Sequence, residues 1–180
     1  MANDAAVILN FPYEVKFNGI VLGFTSPDGV TLTLERNDIA VNVDQYGASV
    51  LKLLSAGENL RIQVTLMQFD VDLFKVAVPW GRVLRNGANE RITFGRIPGR
   101  ESTDYAKELL LHRTTDAASL KTRDIKFFKA IVQEVGDIAA NAANPLGIPI
   151  TFLALIDTSK ADGSLLGEIG TSAATLLVSS

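Results

Sequence analysis

Alternation of apolar and polar residues between Val30 and Leu66 constrains this chain more than any other feature. A period of two puts the apolar members of each run on one face of a β-strand and the polar members on the other. The sequence therefore predicts three half-buried strands in this stretch. Their apolar members are Val30, Leu32 and Leu34, then Ile39, Val41 and Val43, and finally Leu60, Ile62, Val64 and Leu66.

A short helix is predicted directly after the third strand. Asp70 is placed to cap its N-terminus, and Pro79 is placed to end it. Val71, Phe74 and Val78 share one stripe at helical spacing. That stripe is typical of a helix that lies against a core.

Residues 44–57 separate the second strand from the third. We expect an extended, ordered loop with one helical turn that ends at Gly57, although a short strand also fits. Two interpretations of its leucines stay open: they form an exposed interaction surface, or they belong to a flap packed over the core. The apolar residues concerned are Val50, Leu51, Leu53 and Leu54.

Turn residues and further apolar runs predict the other strands. Asn18-Gly19 between two apolar runs is a strong hairpin signal. Strands are expected over 13–17, 20–24, 103–113, 125–135, 149–156 and 165–169, followed by a small-residue C-terminal tail over 170–180. A chain of 180 residues is most simply one domain. We expect a mainly β (α+β) fold, a β-sandwich or partly open barrel of two packed sheets with one flanking short helix.

Residues 80–101 combine arginine with glycine in a predicted hairpin insertion. Guanidinium groups match phosphate oxygens, so one interpretation is a basic contact loop for phosphate or nucleic acid. The other, which we favour, is a hairpin that turns at residues 86–89 and carries its arginines on the solvent face. The spacing matches neither a P-loop nor a dinucleotide fingerprint. The arginines are Arg82, Arg85, Arg91, Arg96 and Arg100.

No residue pattern in the chain points to catalysis. His112 is the only histidine, it lies in a leucine-rich segment, and there is no cysteine. Nucleophile-elbow, zinc-protease and calcium-loop motifs are missing from the sequence. We therefore expect no enzymatic activity, no cofactor and no metal.

Charge and hydropathy limit the partners that we expect. A net charge of −3 argues against general nucleic-acid affinity, which usually needs a basic excess. The charge runs acidic, basic, acidic along the chain, which suits head-to-tail self-association. No apolar stretch approaches the roughly 20 residues that span a bilayer. The N-terminus has no basic region typical of a signal peptide, so we expect a protein made and folded in the cytoplasm, without a membrane partner.

The order of these features resembles the tail tube proteins (major tail proteins) of long-tailed bacteriophages. A hairpin is followed by a strand that ends in Val43-Asp44-Gln45, a loop closed by Gly57, and a long strand passing directly into a short helix. The resemblance covers about two thirds of the chain and rests on order and spacing. Weaker echoes in the second half are Phe128-Lys129-Ala130, Ile148-Pro149-Ile150-Thr151-Phe152 and Asp157.

The resemblance implies a structural virion protein with no catalytic residues. Six copies would form a ring, and stacked rings would form the tail tube through which phage DNA passes without specific binding. Expected partners are further copies of this chain, a tape-measure protein, a tail tip or baseplate initiator and a tail terminator. Contractile-tail and type VI secretion tubes are related. The candidate contacts between subunits or rings lie in loop 44–57: Asp44, Gln45, Tyr46, Leu51, Leu53 and Leu54.

Three alternatives remain open at this point. The chain resembles another tail or secretion-system tube or completion component almost as well. It also suits a monomeric β-barrel that binds a small ligand in an apolar cavity. A nucleic-acid binder that uses the arginines would show DNA affinity falling steeply with salt.

Overall fold

The computed structural model describes residues 13–23, 25–42, 50–67, 70–95, 98–99, 101–141 and 144–170. Within these residues the fold is mainly β, with two sheets and one α-helix, which confirms the predicted class. The strands are β1 (Tyr13–Phe17), β2 (Ile20–Val21), β3 (Thr25–Asn42), β4 (Val50–Leu66), β5 (Arg82–Asn86), β6 (Asn89–Thr93), β7 (Lys107–Arg113), β8 (Ile125–Val135), β9 (Ala139–Asn141), β10 (Asn144–Leu155) and β11 (Gly167–Ile169). Helix α1 covers Val71–Ala77, and a 3-10 helix covers Ser102–Tyr105.

The larger sheet is antiparallel throughout its described strands. Its main order is β2-β1-β7-β8-β10-β4-β3, with β11 paired to β8 and β9 paired to β10. The last strand of this path, β3, contacts β1 near the other end, because the Thr25 hydroxyl donates a hydrogen bond to the carbonyl oxygen of Tyr13 at 3.4 Å. The sheet therefore curls into a partly open barrel. Strands β5 and β6 form the second sheet, a separate hairpin.

One hydrophobic core lies inside the curled sheet. Phe17 and Phe152 contact each other across it, with ring centroids 5.3 Å apart. The predicted period of two in the third run is confirmed, because Ile62, Val64 and Leu66 are all buried. Aromatic and branched side chains thus fill the interior. Other large members of the core are Val15, Leu22, Leu109, Leu111, Phe127, Ile148 and Ile150.

Helix α1 forms where the sequence predicts it. The Asp70 side chain accepts hydrogen bonds from the backbone nitrogens of Asp72, at 2.8 Å, and Leu73, at 3.4 Å. These two donors have no partner inside the helix, so the cap satisfies them. Val78 is buried at the other end, and Phe74 contacts Phe94 edge-on with centroids 6.3 Å apart. The helix therefore closes the core and supports the β5–β6 hairpin.

Of the predictions for other turns and strands, some are confirmed and some are wrong. The hairpin at Asn18-Gly19 is confirmed, and both residues have positive φ, 53° and 75°. The two strands predicted over 30–34 and 39–43 are wrong as separate elements, because β3 runs through both as far as Asn42. The strand predicted over 103–113 begins later, at Lys107, after the 3-10 helix. The tail over 171–180 lies outside the described residues.

Candidate functional site

A hairpin arm leaves the larger sheet at one edge. Strand β4 pairs with β10 from Leu66 to Arg61, and beyond Arg61 its only partner in the described chain is β3. Both strands then continue, to Asn42 in β3 and to Val50 in β4, which is roughly 30 Å at the rise of a strand. We call residues 35–42 and 50–59 of this hairpin the arm.

The tip of the arm is apolar on both faces. Ile39 stands opposite Leu54 on one face, and Ala40 stands opposite Leu53 on the other. Ile39, Leu53 and Leu54 are 59%, 60% and 44% exposed. The rest of the described chain therefore covers neither face of the tip.

A β-bulge in the middle of the arm produces this pattern. Asn37 pairs with Gly57 and Asp38 pairs with Ser55, which leaves Ala56 as an extra residue. The insertion shifts the alternation of β4 by one, so residues that would continue its core face turn to the opposite face. Gly57 has a φ of +117°, which side-chain-bearing residues rarely adopt. Glycine is thus the residue suited to this bulge.

The arm has the properties of a surface that a second chain would cover. A two-stranded ribbon by itself is marginally stable in water, and its packing normally comes from a third element. In the described part of the chain, β3 pairs only with β4, so its other edge offers unpaired backbone groups. Covering Ile39, Leu53 and Leu54 would contribute roughly 1–2 kcal/mol for each side chain. A second chain could supply both the packing and the pairing.

The structure corrects the expected conformation of segment 44–57. Residues 50–57 are strand, not a loop with a helical turn, and the helix end expected at Gly57 is the bulge. Leu51, Leu53 and Leu54 are exposed and lie together at the tip. Asp44, Gln45 and Tyr46 lie outside the described residues. For the described part of the segment, the flap interpretation is wrong.

Sequence reasoning missed the exposure of one member of this surface. Ile39 and Val41 were expected in a half-buried strand, but Ile39 is exposed at the tip, and Lys52 stands opposite Val41 on the same face. The signal was a change of phase in the alternation, because the apolar residues Val30, Leu32 and Leu34 occupy even positions and Ile39, Val41 and Val43 occupy odd ones, with no glycine or proline between the runs to end the strand. That signal indicates a strand longer than the core needs.

The arginine-rich segment forms the predicted hairpin. Strands β5 and β6 turn at Gly87-Ala88, with Asn86 paired to Asn89. Arg85 faces helix α1, where it contacts the carboxylates of Asp72 and Glu90. The carboxylates raise its pKa, chiefly through the hydrogen bond to Asp72.

The other arginines of this segment are not gathered around Arg85. Arg82 and Arg91 are exposed on the other face of the hairpin, because Arg82 pairs with Thr93 and Arg91 with Leu84. Arg96 and Arg100 lie outside the described residues. The described arginines thus divide between the two faces and do not form one basic cluster.

The single histidine makes a contact between neighbouring elements. His112 of β7 has its Nδ1 atom 2.7 Å from a carboxylate oxygen of Asp124, the residue before β8. Tyr13 lies nearby on β1, and burial, followed by the charge of Asp116, raises its pKa. The contact holds the start of β8 against the end of β7, which is a structural role.

Neither a metal centre nor a helical membrane span is found in the part of the chain that the structure describes. No group of three or more potential metal ligands occurs there, and no helix there has the length and hydropathy to cross a bilayer. In comparisons with known proteins, no family model and no curated protein matches the sequence. The arm is therefore the feature of the described chain with the strongest physical claim to a function.

Proposed function

We propose that this protein is a structural virion component that self-assembles, through its arm, into hexameric rings stacked as the tail tube of a long-tailed bacteriophage. The observation that carries the proposal is the arm itself, whose tip is apolar on both faces and exposed on both. The order of sequence features that resembles tail tube proteins supplies the type of assembly. No chemistry by the protein is needed for this role.

An arm of this kind favours extended assembly. In the proposed assembly the arm of one copy docks on a different patch of the next copy. Such a heterologous contact closes into a ring or continues as a filament, according to the rotation between copies. A tube built of stacked rings uses one contact that closes and a second that repeats.

The proposal places the protein in the tail of the virion after synthesis in the host cytoplasm. Its partners there would be further copies, a tape-measure protein, a tip or baseplate initiator and a terminator. DNA would pass through the lumen without being held, which agrees with the net charge of −3. A tube or completion component of another tail or secretion system would use the same arm in the same way.

The ligand-binding alternative has less support from the fold. A β-barrel that binds a small molecule keeps space inside its sheet. Here Phe17, Phe152 and their buried neighbours occupy the space between the strands. An interior ligand would have to displace packed side chains.

The test replaces Leu53 and Leu54 together by Asp. We expect folded protein that no longer forms rings or tubes, because two carboxylates would have to be buried at the contact. Light scattering after size exclusion, with negative-stain images of the same fractions, measures the assembly. The control replaces Leu120 and Ile138, which are exposed outside the arm, by Asp. Tubes from the arm variant that equal those of the unmodified protein would exclude the arm as the contact.

A further inference from the structure

A groove lies at the base of the arm. It has a volume of about 460 Å³ and runs between the arm, the end of β10 and β11. Its floor includes Leu34 and Leu60 from the hairpin, with Ile156 and Ile169 from the opposite wall. Leu34, Ile156 and Ile169 are among the most exposed large apolar side chains of the described chain. This groove is thus a second apolar surface without a cover.

Carboxylates line the same groove. Glu58 lies on the arm side, and Asp162 lies on the opposite side. No ion pair joins either of them to a basic side chain among the described residues. The groove therefore suits an apolar segment that brings one positive charge.

The tip of the arm is such a segment. Lys52 stands opposite Val41, on the face that also carries Ile39 and Leu54, and the structure shows no acidic partner for it in the described chain. Its apolar neighbours would meet the floor of the groove while its ammonium group met the carboxylates. Charge and hydropathy are complementary between the two surfaces.

A single chain cannot make this contact with itself. Lys52 is six residues beyond Glu58 along β4, which is roughly 20 Å along an extended strand. The arm runs away from the groove at its own base, because both strands remain paired as far as Asn42 and Val50. An arm tip that enters this groove therefore belongs to another molecule.

We propose that the groove of one copy binds the arm tip of a second copy, with Lys52 against Glu58 and Asp162. This inference rests on the proposed self-assembly and names the docking place for the arm. Each copy contributes one arm and one groove, and the groove remains open when the arm of its own chain is bound elsewhere. The contact is heterologous and continues from copy to copy.

Charge reversal tests the contact from both sides. One variant carries Lys52→Glu, a second carries Asp162→Lys, and a third carries both substitutions. We expect the first two to raise the concentration needed for assembly at least about tenfold, because like charges would face each other. The third restores opposite charges and should assemble within about threefold of the unmodified protein. Lys121→Glu and Asp137→Lys serve as controls, because both positions are exposed and neither belongs to the arm or to the lining of the groove.

The outcomes separate this inference from the proposed function. Normal assembly of the Asp162→Lys variant, with loss in the Leu53, Leu54 variant, would overturn the groove and keep the arm. Loss in both charge variants without recovery in the combined one would also overturn the pairing.

An unmodified protein that stays monomeric at all concentrations would contradict the proposed function itself. If that monomer bound a fluorescent apolar dye in the groove, the groove would belong to a small ligand. Circular dichroism of each variant establishes that it is folded.

Discussion

Ile39 and Leu54 stand directly opposite each other near the end of the arm, and both are exposed. Nearer the base the same face is polar, with Thr33 opposite Arg61 and Glu35 opposite Asn59. The outer face of the hairpin thus changes from polar to apolar along its length. A hairpin that is in water along its whole length is expected to stay polar on this face up to its end. An apolar tip is expected where a second chain covers it.

The first prediction compares two leucines of opposite burial. Leu111 is fully buried and Leu53 is 60% exposed. We expect Leu111→Ala to lower the free energy of unfolding by about 2–5 kcal/mol, because it leaves a cavity in the core. In dilute, unassembled protein Leu53→Ala should change it by less than about 0.5 kcal/mol. Urea denaturation measures both, and a comparable loss from Leu53→Ala would mean that the tip is packed within the monomer.

The second prediction concerns the bulge in the arm. Adding a methyl group at Gly57 would meet no atom within 4 Å, so crowding is not the cost. The cost lies in the backbone, because a φ of +117° strains an alanine by about 1–3 kcal/mol. We expect Gly57→Ala to speed amide hydrogen exchange in the arm residues of β3 and β4 and to leave β7 and β8 unchanged. Ser55→Ala is the neighbouring control, and equal exchange in both variants would show that the bulge tolerates a side chain.

The sequence determines the elements whose burial agrees with their local pattern. Helix α1 was predictable because Asp70, Pro79 and the apolar stripe all indicate the same boundaries. The range of strand β8, Ile125–Val135, was predictable because apolar residues recur along the whole segment, and its buried positions change phase between Phe127 and Ala130. In such elements each local preference agrees with the tertiary environment.

The arm could not be predicted in the same way. Leu51, Leu53 and Leu54 do not alternate cleanly, because bulges at Ala56 and Leu51 interrupt the register of β4. Pairing with β3 is a long-range interaction that period analysis does not see. The exposure of Ile39 is equally invisible, since an apolar residue in an alternating run is expected to be buried. What the sequence did indicate was that these leucines are candidates for contact.

The third prediction is a dependence on alkaline pH that comes from Tyr13. Burial and the carboxylates of Asp116 and Asp124 raise its pKa, against a smaller opposing effect of Arg123. The unfolded chain then loses the phenolic proton first, at about pH 10. The stabilisation is complete below that pH and is lost as pH rises through the higher pKa of the folded state. We therefore expect the melting temperature of the unmodified protein relative to Tyr13→Phe to fall as pH rises above about 10.

Calorimetry at a series of pH values measures this difference. Tyr105→Phe is the matched control, because it removes the same hydroxyl from a more exposed tyrosine. A constant difference between the unmodified protein and Tyr13→Phe across this series would contradict the prediction.

The fourth prediction addresses the helix cap. Asp70→Ala removes the acceptor for the backbone nitrogens of Asp72 and Leu73, so we expect a loss of about 0.5–2 kcal/mol in the free energy of unfolding. Asp70→Asn keeps an acceptor oxygen and should retain most of that stability. Equal losses in the two variants would show that the charge of Asp70, rather than its hydrogen bonds, supports the helix.

The fifth prediction separates a tube subunit from a nucleic-acid binder. A binder that used the arginine hairpin would hold DNA with an affinity that falls steeply as salt rises. Arg85 already contacts Asp72 and Glu90, and the chain as a whole is acidic. We therefore expect fluorescence anisotropy with duplex DNA to show no salt-sensitive binding between about 50 and 200 mM salt. The double variant Arg82→Ala, Arg91→Ala should behave in the same way and should still assemble. Tight binding at low salt that this variant abolishes would assign the hairpin to nucleic acid, and the arm would then need another explanation.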